Sequence, residues 1–202
     1  MKKTSIFTLL LCLFAALTMT SCMNDDDDNN SGLTPAEQHS AYQAVAGSHD
    51  GQLVYLDSIF SATSAKYDSV PSRANFDNDS TLYIDNFHVN SLAHFVADAT
   101  AKACLDAAPA LQLKCNTYFY QLSPVQFLIF PQTLSFTTVV DGTPHKITLA
   151  FYSAYPYSLG AKGSKNILCQ IGCGGIYLDA DGKTNPTNLL TSTSVAMFYF
   201  HN

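Results

Sequence analysis

The 202-residue chain has no tryptophan, a single glutamate (Glu37) and a single arginine (Arg73). Any carboxylate chemistry must therefore rest almost wholly on aspartate. Sugar-stacking by an indole is excluded, which leaves tyrosine as the amphipathic ring. No Gly-x-Ser-x-Gly, His-Glu-x-x-His or Walker pattern occurs, so the common nucleophile-elbow, zinc-protease and phosphate-loop signatures are missing. The closest cysteine pair in the C-terminal half, Cys169 and Cys173, lacks the tight Cys-x-x-Cys spacing and shaped histidine partners of a zinc site. Positive charge is scarce as well. Without Lys2 and Lys3, eight basic residues face sixteen acidic ones, a net charge of about -8 that argues against a nucleic-acid partner.

What the chain does have begins at its N-terminus. Lys2 and Lys3 form a cationic region, residues 6–17 an apolar run, and Thr20-Ser21 a small-residue cleavage site, which is the layout of a secretory signal peptide. The apolar run is too short to span a bilayer comfortably. Cys22 directly after those small residues resembles a bacterial lipobox, with Met19 where Leu is usual. Four consecutive aspartates, Asp25, Asp26, Asp27 and Asp28, follow at once and resemble the export signal of Bacteroidetes surface lipoproteins. The resemblance implies that residues 1–21 are removed and that Cys22 carries palmitate-type acyl chains. It further implies a lipid-anchored protein on the outer face of an outer membrane. Each buried methylene contributes about 0.8 kcal/mol, so two or three chains anchor stably where one does not. The alternative is an ordinary signal peptide with an incidental cysteine. Residues 22–32 are polar and without periodicity, the composition of an acidic tether.

Residues 33–202 are enough for one domain with a sizeable core, and no linker or repeat divides them. Thr34-Pro35-Ala36-Glu37 has capping-box spacing with proline at the first helical position, predicting a helix to about Ala46 that ends at Gly47. A strand is expected over 52–60, a polar loop over 66–80 because of Pro71, Asn75 and Asn78, and a strand over 81–89. Asn90 is placed to cap a helix over 91–107, with Asp98, Lys102 and Asp106 on its wet side and Leu92, Phe95, Val96, Ala99, Ala103 and Cys104 on its packed side. Alternation over 111–122 predicts a half-buried strand, extended by 125–130 after Ser123-Pro124. Residues 134–140 and 145–152 flank the turn-rich Asp141-Gly142-Thr143-Pro144, a hairpin signature. Strands over 168–178 and 192–201 complete the set. Two helices and about eight strands predict an α+β domain, mostly antiparallel β-sheet. An open sheet, a sandwich and a partly closed barrel all accommodate these elements.

Cys104, Cys115, Cys169 and Cys173 remain in the mature chain as an even set, so disulfides among them compete with four buried thiols. On one straight strand Cys169 and Cys173 would stand about 13 Å apart and could pair only with the other two. Asp179, Asp181 and Asn185 resemble an acidic calcium loop, as Asp77-Asn78-Asp79 does more faintly. Gly182 stands fourth rather than sixth and Leu190 occupies the twelfth position, so a plain turn is favoured and no metal or cofactor is expected. His39, His49, His88, His94, His145 and His201 are dispersed, and none neighbours a nucleophile in a known motif.

The stretch Phe151-Tyr152-Ser153-Ala154-Tyr155-Pro156-Tyr157 is the candidate for binding. Pro156 should break a strand and present Tyr152, Tyr155 and Tyr157 in a loop, where their rings would stack on a glycan or an aliphatic group. The competing structural reading folds these rings over a sheet edge.

The helix, Gly47 and the run Gly51-Gln52-Leu53-Val54-Tyr55 together resemble the opening of calycin-like or uncharacterised lipoprotein domains of Bacteroidetes, though the Trp that lipocalins place soon after such a glycine is missing. The function expected is a non-catalytic module binding a glycan or a surface protein. A hydrolase assembled from dispersed Asp, His and Ser residues is the second expectation, to be recognised by Asp, His and hydroxyl within hydrogen-bond reach. A structural or assembly subunit is the third, to be recognised by an open sheet edge.

Overall fold

The computed structural model describes residues 32–61, 64–191 and 196–202; the expectations for the signal, Cys22 and the four aspartates lie outside them. Thr34 accepts from the Glu37 backbone while the Glu37 side chain accepts from the Thr34 backbone, so the capping box opens helix α1 (Pro35–Val45) as its spacing requires. Ala41 and Val45 turn its buried side inward. Gly47, at φ +91°, leads directly into the first strand, a backbone angle that favours glycine.

Ten strands follow among the described residues: β1 (Gly47–Ser61), β2 (Ser64–Asn78), β3 (Thr81–Phe87), β4 (Leu111–Leu122), β5 (Val125–Pro131), β6 (Leu134–Val140), β7 (Thr143–Phe151), β8 (Leu159–Lys162), β9 (Ile167–Leu178) and β10 (Ala196–His201). All pairings are antiparallel. Eight strands close into a barrel in the order β1-β2-β3-β4-β5-β8-β9-β10, with β10 returning to β1, and β7 and β6 are appended. Strand β9 serves both parts, because one of its edges pairs first with β8 and then with β7.

Register explains what fills the barrel. Around one row of partners Phe119 opposes Phe127, Phe127 opposes Gly160, Gly160 opposes Cys169, Cys169 opposes Phe200 and Phe200 opposes Leu53. Directly opposed residues share a face, so all six point inward, and all six are buried. Phe127 contacts Phe76 edge-on at 5.4 Å between centroids and Phe119 at 5.2 Å, while Phe87 contacts Phe198 at 4.5 Å and Phe151 at 5.7 Å. The interior of this eight-stranded barrel is thus occupied by side chains, the usual outcome at that strand number unless a ligand space is left. Helix α1 packs against β2, β4 and β5, and Tyr42 donates to the Asp77 carbonyl near the end of β2 (3.2 Å).

The polar loop expected over 66–80 is instead strand β2. Ser72, Ala74 and Phe76 alternate inward and Arg73 and Asn75 outward, and pairing with β1 and β3 overrides the turn propensity of asparagine and proline. Pro71 is tolerated because it lies beyond the stretch paired with β3, and its carbonyl accepts from the Asn86 side chain (2.7 Å). The single helix expected over 91–107 is a 3-10 helix (Val89–Phe95), a break, and helix α2 (Ala99–Asp106). Its cap is Asp98, which accepts from the Ala101 backbone (2.8 Å), and not Asn90, whose side chain donates to the carbonyls of Asp106 and Ala108. Asp98, Lys102 and Asp106 are exposed and Leu92, Phe95, Val96 and Cys104 buried, but Ala99 faces solvent. Strand β8, only four residues long, carries no sequence signal of its own.

Candidate binding surface

The tyrosine segment leaves β7 and returns into β8, and its backbone is held at both ends. Tyr152 donates to the Gly172 carbonyl (2.8 Å), Ala154 donates to Ile129 (2.9 Å), and Ile129 donates back to Ser158 (3.0 Å). Within the turn, Tyr157 and Ser158 both donate to the Ala154 carbonyl. Ala154 stands at φ +59°, in the left-handed region. The Ser158 side chain is fully buried, donates to the Tyr152 carbonyl and accepts from Gly172, bonding the loop to β9 from beneath. Gln170 on β9 donates to the carbonyls of Pro156 and Tyr157.

On this framework the three rings point outward. Tyr155 is 71 % exposed, Tyr152 41 % and Tyr157 37 %. Tyr152 and Tyr157 pack with centroids 4.5 Å apart and planes 31° from parallel, and Tyr152 lies so close over Gly174 that a β-carbon there would stand 2.8 Å from the ring. The surface continues toward β4, whose outer face carries the exposed Tyr118. Tyr120 on the same strand donates to Gln126 (2.8 Å); burial, and secondarily the neighbouring Tyr155, raise its hydroxyl above the ordinary range. Pro156 and the clustered tyrosines mark the loop in the sequence but not this extension, because the exposed side of β4 reads only as the polar half of an amphipathic strand.

Two clusters of ionisable groups lie elsewhere. At the end of the barrel where β1 leaves the ring, the Tyr55 and His88 rings stand 4.6 Å apart, and Asp57 pairs with Lys66 (2.7 Å) and lies 3.9 Å from His94. Burial lowers the His88 pKa, opposed in part by Asp68, and raises that of Tyr55. Nothing in sequence order marks this cluster, because Lys66 and Asp68 lie on β2, in the stretch that reads as a polar loop. In the second cluster His145 bonds Asp179 (2.8 Å), whose other oxygen accepts from the Lys146 backbone, and Lys146 bonds both oxygens of Asp181. These bonds hold Asp179 below the usual carboxylate range. The loop that resembles a calcium site therefore spends both carboxylates on the β7 strand. Thr138 stands opposite His145, but its buried hydroxyl has no hydrogen-bond partner, so this Asp–His pair activates no bonded nucleophile.

Cys104, Cys115, Cys169 and Cys173 are all buried, with free thiols. Cys169 and Cys173 share the inward face of β9, and burial raises the pKa of Cys173 to about 12 and that of Cys169 further. Among the described residues no group of three or more His, Cys, Asp or Glu could hold a metal ion, and no helix is long and apolar enough to cross a membrane.

Comparison with known proteins returns no curated protein and no solved structure that matches the chain. A family profile, a domain of unknown function designated DUF4840, matches residues 44–178, which run from the last turn of α1 to the end of β9. That span is well over half of the chain, and the protein belongs to the DUF4840 family.

Proposed function

We propose that this protein is a lipid-anchored outer-membrane module, exposed at the cell surface, that binds a glycan or a surface protein through Tyr152, Tyr155 and Tyr157. The observation carrying the reading is the pairing of exposed aromatic rings with a backbone tied down by β5, β9 and buried Ser158. Rings held in place lose little conformational freedom on binding, which is where much of the cost of association otherwise lies. A barrel interior occupied by phenylalanines favours the outside surface over the inside as the binding face. The lipobox-like sequence ending at Cys22 and the four aspartates behind it support the anchor.

The test is a glycan array and a pull-down from outer-membrane extracts with the purified chain, the Tyr155→Ala/Tyr157→Ala double variant and Ser164→Ala as a distant surface control. Both rings are exposed, so the double variant should lose about 1 kcal/mol of stability or less, against about 3 to 5 kcal/mol for a core aromatic. Any ligand retained by the control should be lost by the double variant. A double variant that binds every hit as well as the control, or that fails to fold, overturns the assignment.

A further inference from the structure

We propose that β6 is a strand-addition edge and that its occupant is β6 of a second copy of this chain. The barrel removes the edges of eight strands, and β7 is paired on both sides, which leaves β6 at the open end of the sheet. Its sequence, Leu-Ser-Phe-Thr-Thr-Val-Val, contains no charge, proline or glycine, the devices that ordinarily blunt an edge.

The direction of each backbone group follows from the turn. Asp141 and Gly142 both have positive φ (50° and 78°), as in a two-residue type I′ turn, so the flanking Val140 and Thr143 form a hydrogen-bonded pair. Pairs then alternate along the hairpin. Thr138, Phe136 and Leu134 also bond to β7, while Val139, Thr137 and Ser135 turn their N–H and C=O groups to the outside. Two partners on β7 agree with this parity. Lys146, opposite Thr137, sends its N–H to Asp179 (2.8 Å) and receives the Asp179 N–H on its carbonyl (2.9 Å), both away from β6; Pro144, opposite Val139, has no N–H at all. Among the described residues no hydrogen bond from outside the hairpin reaches the backbone of Ser135, Thr137 or Val139.

These outward residues are symmetric about Thr137. A two-fold axis there sets Thr137 against its own copy and Ser135 against Val139 in both directions, so all three residues form hydrogen-bonded pairs, about six bonds in total. The side chains meeting on the exposed face would be Ser, Thr and Val, small enough to pack; Val139 is now 66 % exposed. Like charge does not oppose the arrangement. The two Lys146 residues would lie three strand spacings apart, about 14 Å, beyond the roughly 8 Å screening length at physiological salt, and each is already paired with Asp181. One added strand pair falls at the low end of interface size, so the dimer should be weak and concentration-dependent.

Directly opposed, hydrogen-bonded positions have Cα atoms about 5.5 Å apart, within disulfide reach. Full-length protein carrying Thr137→Cys should therefore form a covalent dimer under mild oxidation at least about 10-fold faster than Ser164→Cys, with the parent chain measuring the background from its own cysteines. Ser135→Cys alone should match Ser164→Cys, whereas Ser135→Cys/Val139→Cys should crosslink. Sedimentation of the parent chain should show reversible dimers that Val139→Lys abolishes without lowering the melting temperature. Equal crosslinking of Thr137→Cys and Ser164→Cys, with both folded as judged by circular dichroism, overturns the proposal. So does a parent chain that stays monomeric to about 100 μM. These measurements involve neither the tyrosine loop nor the lipid, so their failure leaves the binding function standing.

Discussion

Phe127 and Gly160 face each other across the β5–β8 pair, and a β-carbon at Gly160 would stand 2.2 Å from the tip of the Phe127 ring. The ring has no room to retreat, because Phe76 and Phe119 pack against it. Gly160→Ala should therefore cost about 1 to 3 kcal/mol, the usual penalty of overpacking, read as a lower urea midpoint at unchanged m-value. An unchanged midpoint would mean that the interior is more loosely filled than its ring contacts indicate.

Alkaline pH should destabilise the fold. Cys115, Cys169 and Cys173 hold their protons more tightly when folded than when unfolded, because burial disfavours the thiolate, and Tyr199 is pushed up to about 12 for the same reason. Below the unfolded thiol value of about 9 nothing is lost; as pH rises past it the unfolded chain sheds protons that the folded chain keeps, and stability falls. Melting temperatures measured across this range should decline, and less steeply for Cys169→Ala than for the parent. The four thiols should also resist a thiol reagent at neutral pH until denaturant is added.

Helix α2 supplies a test of which residue caps it. Asp98→Ala should lower stability by about 1 kcal/mol, the common value for a lost N-cap, because the Ala101 N–H would lose its acceptor. Equilibrium denaturation of this variant beside Lys102→Ala, an exposed position on the same helix, separates the cap from ordinary surface change. Equal stabilities would leave the helix start to packing alone.

Cys22→Ala should shift the protein from the membrane fraction to the soluble fraction, and intact mass of the parent should show a chain beginning at Cys22 with acyl chains attached. Neutral replacements of Asp25, Asp26, Asp27 and Asp28 should impair surface display while leaving the melting temperature unchanged. A mature chain beginning elsewhere without acyl mass would remove the anchor from the proposed function.

Legibility of the fold in the sequence followed the strength of local signals. The capping box, the Asp-Gly hairpin and the alternation of β4 carry their information in neighbouring residues, and each stands where its pattern placed it. Strand β2 was hidden because its outward positions are polar and its inward ones include Ser72 and Ala74, so only the partners on either side make it a strand. The helix expected over 91–107 broke because apolar periodicity does not report where the backbone must turn back, and Asp98 supplies a second helix start in mid-pattern. Closure of the ring was undecidable for a related reason: it depends on Leu53 meeting Phe200, far apart along the chain. Of the candidate site, Pro156 and turn chemistry offered exposed tyrosines as one of two readings beside rings folded over a sheet edge, and their anchorage by Ser158, with the neighbourhood of Tyr120, arises only from tertiary contact.

Because β10 is the strand that joins β9 to β1, the ring has a single late seam. Every other neighbour of β1 is in place once β2 has been made, whereas its second neighbour lies about 145 residues further on. Pairing across such a separation is entropically costly and slow, so this seam should close after the local hairpins have formed. Removal of β10 would leave the ring permanently open. It would turn a closed cylinder into an adhesive sheet, adding the freed edges of β1 and β9 to that of β6.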